Sequence, residues 1–217
     1  IHDGESLGIS ISSASQATIE DCKIFSNAAA GIQICDEKSF ATIRKCRVYK
    51  GDDKGIALWQ KAQSTIENCE IYDNRHAGIL INDAGSSATI QQCQVHDGKS
   101  IGISVLKQGQ VSIEECDIYN NVGSGIKTKD EGSRARILKS QIHDGIYTGI
   151  DIQGKSYVEL KACTIFKNAG PGIRICNAGS KATISECHIH EGNAVGTLIE
   201  DEGDGVINDS TLEGNRM

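Results

Sequence analysis

Apolar and polar side chains alternate along this chain in short runs. In Ala17-Thr18-Ile19-Glu20, Cys22-Lys23-Ile24 and Ile32-Gln33-Ile34 every second residue is apolar, the period of a strand with one face buried. Between Ile19 and Cys22 the spacing is three instead of two, which breaks the alternation and predicts a corner between two strands. Gly31 opens the third run, at a position that needs positive φ or has no room for a Cβ. Helical periodicity is missing throughout. Each unit of the chain therefore reads as three short strands.

The same unit recurs along the whole sequence. Ile-x-x-Cys-x-Ile and close variants place Cys at 22, 46, 69, 93, 116, 163 and 187, with Ser140 and Ser210 in the same register. A second series of glycines at 8, 31, 55, 78, 102, 125, 149, 172 and 196 runs in step. The intervals alternate between 24 and 23 residues, so the true period is a pair of units spanning 47, with the extra residue in the loop before the Ala-Thr-Ile run. A three-strand unit of this size cannot bury its inner face alone, so successive units must stack with each strand parallel to its counterpart. The expected fold is all-β: a single-stranded right-handed parallel β-helix of about nine coils, three short strands per coil. At about 4.8 Å per coil the rod is roughly 43 Å long. One domain over residues 1–217 is expected, with both ends uncapped, so that the rod belongs to a longer chain, has flanking caps or associates end to end.

Stacking turns equivalent residues into columns, and each column can be read for chemistry. Cys22 shares a strand face with Ile24 and therefore points inward, as do its equivalents. This ladder fits a tight corner, where a small, weakly polar side chain sits between aliphatic stacks. Parallel in-register side chains are poorly placed for the disulfide torsion, and no Cys or His spacing suits zinc. Neither a metal nor any other cofactor is expected. Free thiols favour a reducing, cytoplasmic setting. Cys35 and Cys176 fall outside the ladder, and alternation turns both outward.

A column of rings follows the second strand: His2, Phe25, Tyr49, Tyr72, His96, Tyr119, His143, Phe166 and His190, ending at Glu213. Such rings stack on one another to stabilise the rod, or on a sugar or peptide. Tyr72, His96, Tyr119 and His143 are candidate binding residues on this ground. His2, His96, His143 and His190 each precede an acid, Asp3, Asp97, Asp144 and Glu191. Adjacent strand residues point to opposite sides, so each acid is expected to begin a turn. The outward column of the third strand reads Ser10, Gln33, Ala57, Leu80, Ser104, Lys127, Asp151, Arg174 and Leu198. Lys127, Asp151 and Arg174 form its one cluster of mixed charge, and they are the other candidate binding residues. They suit a surface ion-pair chain, or a sugar-acid site with a base and carboxylate-neutralising cations. Outward charges elsewhere alternate, Glu20-Asp21 above Arg44-Lys45 and then Glu67, which helps fix register.

The net charge of −7 disfavours a nucleic-acid or anionic-membrane partner. With 24 Gly and one Pro, and without low-complexity segments, the sequence offers no linker or domain boundary.

Alternating "IHDG" and "IYDN" or "IFKN" segments, joined by "AGI" or "TGI" and by "ATIEDC" or "ATIRKC", resemble the right-handed β-helix repeats of carbohydrate-binding and sugar-hydrolase type. The closest pattern is that of the repeats in F-box substrate receptors of ubiquitin ligases, and similar arrays occur in alginate epimerases and copper-maturation proteins. The chain departs from the F-box type in carrying Cys where those repeats place Asn. It also departs from the epimerases in lacking Asp-Pro-His, since the single proline, Pro171, stands in "AGPGI". The resemblance implies the fold; the uniform coils, without long insertions, favour a non-enzymatic recognition or scaffold module with a protein or peptide partner. A carbohydrate-binding or carbohydrate-active β-helix is the alternative, with a polysaccharide as partner. A structural rod comes third, since its threonine column at 18, 42, 65, 89 and 183 is interrupted by Arg136 and Glu159.

Overall fold

The computed structural model describes residues 1–216, which form 27 β-strands in three sheets of nine, every pairing parallel. Chain order cycles through the sheets, so each coil contributes one strand to each. The first sheet, here the long-strand sheet, runs from Gln16–Glu20 to Asp204–Asn208. The ring sheet runs from Lys23–Phe25 to Thr211–Glu213, and the groove sheet from Ile9–Ile11 to Thr197–Glu200. The helix is right-handed, with about nine coils of about 24 residues. Pairing is in register, Ile19 over Ile43 and Ile24 over Val48, and so along the rod.

The interior is a set of aliphatic stacks. Ile43, Ile66, Ile90, Ile113 and Ile137 from the long-strand sheet meet Ile71, Ile118, Ile142 and Ile165 from the ring sheet, all fully buried. Each fully buried isoleucine contributes on the order of 2 kcal/mol of hydrophobic burial. The core ends where coils end: Ile199, Ile207 and Leu212, inward residues of the last coil, are 38–43% exposed.

The cysteine column answers a chemical need at the first corner. One residue per coil there adopts positive φ, among them Asp21, Lys45, Asn68 and Gln92, which produces the three-residue spacing seen in the sequence. The following thiol turns back onto this corner: Cys69 donates to the carbonyl of Glu67 and Cys93 to that of Gln91, both at 3.2 Å. The backbone N–H of the preceding ladder residue donates to the next sulfur, as from Cys69 to Cys93 Sγ at 3.4 Å. Ser140 fills the same place with the same bonds, donating to Leu138 O at 2.8 Å and accepting from Cys116 N at 3.1 Å. What the column selects is thus a small side chain that both donates and accepts. Hydrogen bonding to a neighbouring ladder thiol, and after it burial, pushes Cys46, Cys93 and Cys163 up, so they stay protonated donors. All nine thiols are free. Cys176, turned outward by alternation, is nonetheless only 2% exposed, lying between Gln153 and Glu200 of the adjacent coils.

A second corner explains the 47-residue pair. Asn27, Asn74, Asn121 and Asn168 are 1% exposed and alternate along the rod with Gly51, Gly98 and Gly145. Asn121 Oδ1 accepts from Gly98 N at 3.0 Å, and its Nδ2 donates to Val95 O and Tyr119 O, each at 3.0 Å. A Cβ on Gly98 would lie 2.8 Å from that Oδ1. Asparagine on one coil therefore requires glycine on the coil before it. The longer loop falls on the same alternate coils, and its serine caps the shorter loop before it: Ser86, Ser133 and Ser180 accept from Lys61 N, Gln108 N and Lys155 N at 3.0 Å.

Two outcomes follow for stability. Asn121→Ala leaves a buried N–H and two carbonyls unpaired, so it lowers the unfolding free energy by about 2–4 kcal/mol; Gly98→Ala is comparably damaging, and a double-mutant cycle measured by urea unfolding shows the two strongly coupled. Cys93→Ser shifts stability by less than about 1 kcal/mol and Cys93→Ala by more, while reductant leaves the melting temperature of the unaltered protein unchanged.

Candidate functional site

The ring column is built on the ring sheet, one ring per coil. From His2 through Phe25, Tyr49, Tyr72, His96, Tyr119, His143 and Phe166 to His190 each ring stacks on the next, with centroids 4.4–5.3 Å apart and planes within 14° of parallel. Tyr72, His96, Tyr119 and His143 therefore have both faces covered by other rings, leaving only their edges to a ligand.

The acids beside the histidines begin turns, at positive φ in Asp3, Asp97 and Asp144, and they also bond the ring before them. His96 Nδ1 lies 2.7 Å from Asp97 Oδ2, and His143 Nδ1 lies 2.6 Å from Asp144 Oδ2. Opposite-side geometry, expected from alternation, fails because the left-handed residue swings its carboxylate back to the Nδ1 edge of the imidazole. The other nitrogen of each ring faces a second acid: His143 Nε2 is 2.9 Å from Asp117 Oδ1, and His96 Nε2 is 3.5 Å from Glu70 Oε1. Burial works against the Asp97 carboxylate, but hydrogen bonds from His96 and Asn120 outweigh it and hold its pKa below the usual value. Burial, then nearby carboxylates, raise the Tyr72 and Tyr119 phenols, which stay neutral. These contacts order the column; among the described residues no cluster of His, Cys, Asp and Glu is arranged to hold a metal ion.

Lys127, Asp151 and Arg174 lie on a different face, the outer side of the groove sheet, on three consecutive coils. The structure joins them into one row. Asp151 Oδ2 lies 3.3 Å from Lys127 Nζ and accepts from Gln153 Nε2 at 2.8 Å, while Arg174 Nη1 is 3.6 Å from Asp151 Oδ1. Arg174 is held more tightly by Glu200, with Nε and Nη2 each 2.7 Å from Oε1. Asp151 points outward yet is only 5% exposed, and its Oδ1 accepts no hydrogen bond. A desolvated carboxylate oxygen without a donor is costly, and the nearby guanidinium offsets that cost only in part.

Asp151 is buried because the turn before its strand rises beside it. Ile146, Tyr147 and Thr148, with Ala169, Gly170 and Pro171 of the next coil, wall a depression of about 460 Å³ whose floor is Asp151, Arg174 and Leu198. Ile146 is 58% and Tyr147 67% exposed. Toward the N-terminus the same face is apolar: Ala57 and Leu80 form its floor, packed with Leu7, Trp59 and Leu106, and Lys54 Nζ sits 5.4 Å from the Trp59 ring centre. Glu200 and Tyr147 were not among the residues singled out from sequence. The signal for Tyr147 is "GIYTG", whose second and third residues are small or polar in equivalent turns such as "GDDKG" and "GKSIG".

Three stacked parallel sheets with one strand per coil place the chain among known folds. The family described as right-handed beta helix region matches residues 1–133 and 77–217. The chain belongs to the right-handed β-helix family. No curated protein sequence matches it. Among solved structures it is similar to the periplasmic alginate epimerase AlgG, with a TM-score of 0.79 and 13% identity over 93% of this chain and 51% of that one. It is also similar to the pectate lyase Pel9A (TM-score 0.64, 14% identity, 87% of this chain, 55% of that one). The Dettilon tailspike protein is a third such structure (TM-score 0.61, 13% identity, 95% and 53%). The chain thus spans about half the length of these proteins, and at such identities the likeness is one of fold.

The electrostatics of the ring column predict acid sensitivity. A folded-state pKa below the unfolded value gives stability that is complete above about pH 4 and is lost as pH falls through the folded value. The urea midpoint is expected to drop between about pH 5 and pH 2, and to drop less steeply in Asp97→Asn.

Proposed function

We propose that this β-helix is a non-catalytic recognition module that holds an extended polysaccharide along the outer face of the groove sheet. The observation that carries the reading is Asp151: a nearly buried carboxylate, one oxygen lacking a donor, on the floor of a depression walled by an exposed tyrosine. A saccharide hydroxyl supplies the missing donor once the covering side chains shift to uncover that shielded oxygen, and the free face of Tyr147 offers a platform for a sugar ring. The cations of the row are already matched by acids, Lys127 by Asp151 and Arg174 by Glu200. Recognition through hydroxyl groups is therefore favoured over recognition through charge. The same pairing argues against catalysis, since a base clamped between cations and cations neutralised by acids are poorly placed to abstract a proton or steady a carbanion. Structures similar in fold include an alginate epimerase and a pectate lyase, which is consistent with a saccharide ligand. A second reading, an extended peptide, draws on the apolar N-terminal half of the same face, where Trp59, Leu80 and Leu106 lie.

A glycan array followed by calorimetry tests the proposal. Binding to an oligosaccharide that survives high salt, and that Asp151→Asn or Tyr147→Ala weakens by roughly tenfold or more, is the expected result. An array without a bound glycan, or affinity untouched by both substitutions, would overturn it.

A further inference from the structure

The long-strand sheet carries a second, separate constellation. Its outward columns are lined with hydroxyls along successive coils: Thr42, Thr65, Thr89 and Ser112 in the middle of the strands, with Ser87 and Gln110 beside them. This ladder stops at the strand Arg134–Leu138, where Arg136 stands over Ser112 and Arg134 over Gln110. The small residues and the long ones that follow enclose a depression of about 370 Å³. Arg134 and Arg136 share one strand face two residues apart, so their Cα atoms are about 7 Å apart and both guanidinium groups border the same hollow.

The charges there are incompletely matched. Among the described residues Arg134 has no acid within ion-pair distance, and Arg136 has one loose contact, its Nε 3.5 Å from Glu159 Oε2. Two like charges at this separation repel each other, and both side chains are exposed, so an anion can approach them. On the far side Tyr157 is fixed, its hydroxyl 3.2 Å from Thr183 Oγ1, with the Arg134 guanidinium 6.0 Å from its ring centre. This contact biases Arg134 to lie along the hollow's edge.

We infer that the outer face of the long-strand sheet is a binding site for an anionic saccharide, its acidic group held by Arg134 and Arg136 and its hydroxyls by the threonine and serine ladder. Guanidinium pairs suit planar or tetrahedral oxyanions, which they grip with two N–H groups each. A uronate carboxylate and a sulfate ester share that chemistry. The hydroxyl ladder supplies what either sugar body requires, donors and acceptors at intervals of about 4.8 Å along the rod. The site lies on another sheet from Asp151, so it stands or falls independently of the function proposed above.

The test uses the full chain, labelled with nitrogen-15 and titrated separately with an oligogalacturonate, a sulfated oligosaccharide, a neutral oligosaccharide of equal length, and sodium sulfate. The expected result is saturable movement of the Ser112, Arg134, Arg136 and Tyr157 amide signals with one or both acidic saccharides, and affinity at least tenfold weaker for the neutral one. The arm that binds tighter identifies the acidic group. Arg134→Gln/Arg136→Gln, shown to be folded by its dispersed spectrum, loses at least tenfold in affinity, and Arg134→Lys/Arg136→Lys recovers part of it. Equal binding of the neutral saccharide, sodium sulfate as potent as the saccharides, or an unaffected glutamine variant would each overturn the assignment. Movement confined to the Asp151 and Tyr147 amides would also overturn it while leaving the groove proposal standing.

Discussion

In-register parallel stacking governs this molecule: each residue lies directly above its equivalent one coil earlier, at the inter-strand spacing of about 4.8 Å. Every position must therefore be compatible with a copy of itself or with a partner on the next coil. Branched aliphatics satisfy the rule by stacking, and they fill the interior. Planar rings satisfy it face to face, and they form the outer column from His2 to His190. The cysteine column satisfies it because a thiol both donates and accepts, so each member can bond its own corner and the backbone of its neighbour.

Where a residue cannot stand above itself, the rod alternates. A buried asparagine side chain needs the space its neighbour's Cβ would occupy, so asparagine follows glycine and the two exchange a hydrogen bond. Exposed charges behave in the same way, Glu20 beside Arg44 at 3.1 Å and Arg47 beside Glu70 at 2.9 Å. Such exposed pairs are individually worth well under about 1 kcal/mol, and they select register more than they stabilise it. Period doubling to 47 residues is thus a packing consequence. The glycine and asparagine corner sets it, and the loops of alternating length follow the same phase.

This rule is also why so much of the fold could be read in the residues. Columns repeat a chemical requirement many times, so the strand faces, the first corner and the inward cysteines were legible from spacing alone. Geometry that depends on a single backbone conformation was not. The bond between His96 and Asp97 reverses strand alternation because Asp97 takes a left-handed φ, and nothing in the pattern marks that beyond the following glycine. The trio Lys127, Asp151 and Arg174 could be placed on consecutive coils, but its depth could not. Asp151 is buried by a turn of the preceding segment, and Tyr147 and Pro171 build that wall from positions outside any strand. Cys176 was turned outward correctly by parity, but parity does not report what covers a side chain.

A solenoid that obeys a column rule advertises function through its exceptions, since a side chain that breaks the column gives up stacking without a structural return. Several such exceptions lie in the coils between residues 126 and 174. Thr128 takes an inward position otherwise held by Ile, Leu or Val, fully buried with its hydroxyl unpaired. Arg136 ends the run of threonines, and Ile146 and Tyr147 bring exposed apolar bulk to two turn positions held elsewhere by polar or small residues such as Asp52-Asp53 and Lys99-Ser100. Asp151 is buried on an outward face among charges. These departures lie on two sheets, and both proposed binding faces draw their deciding residues from them.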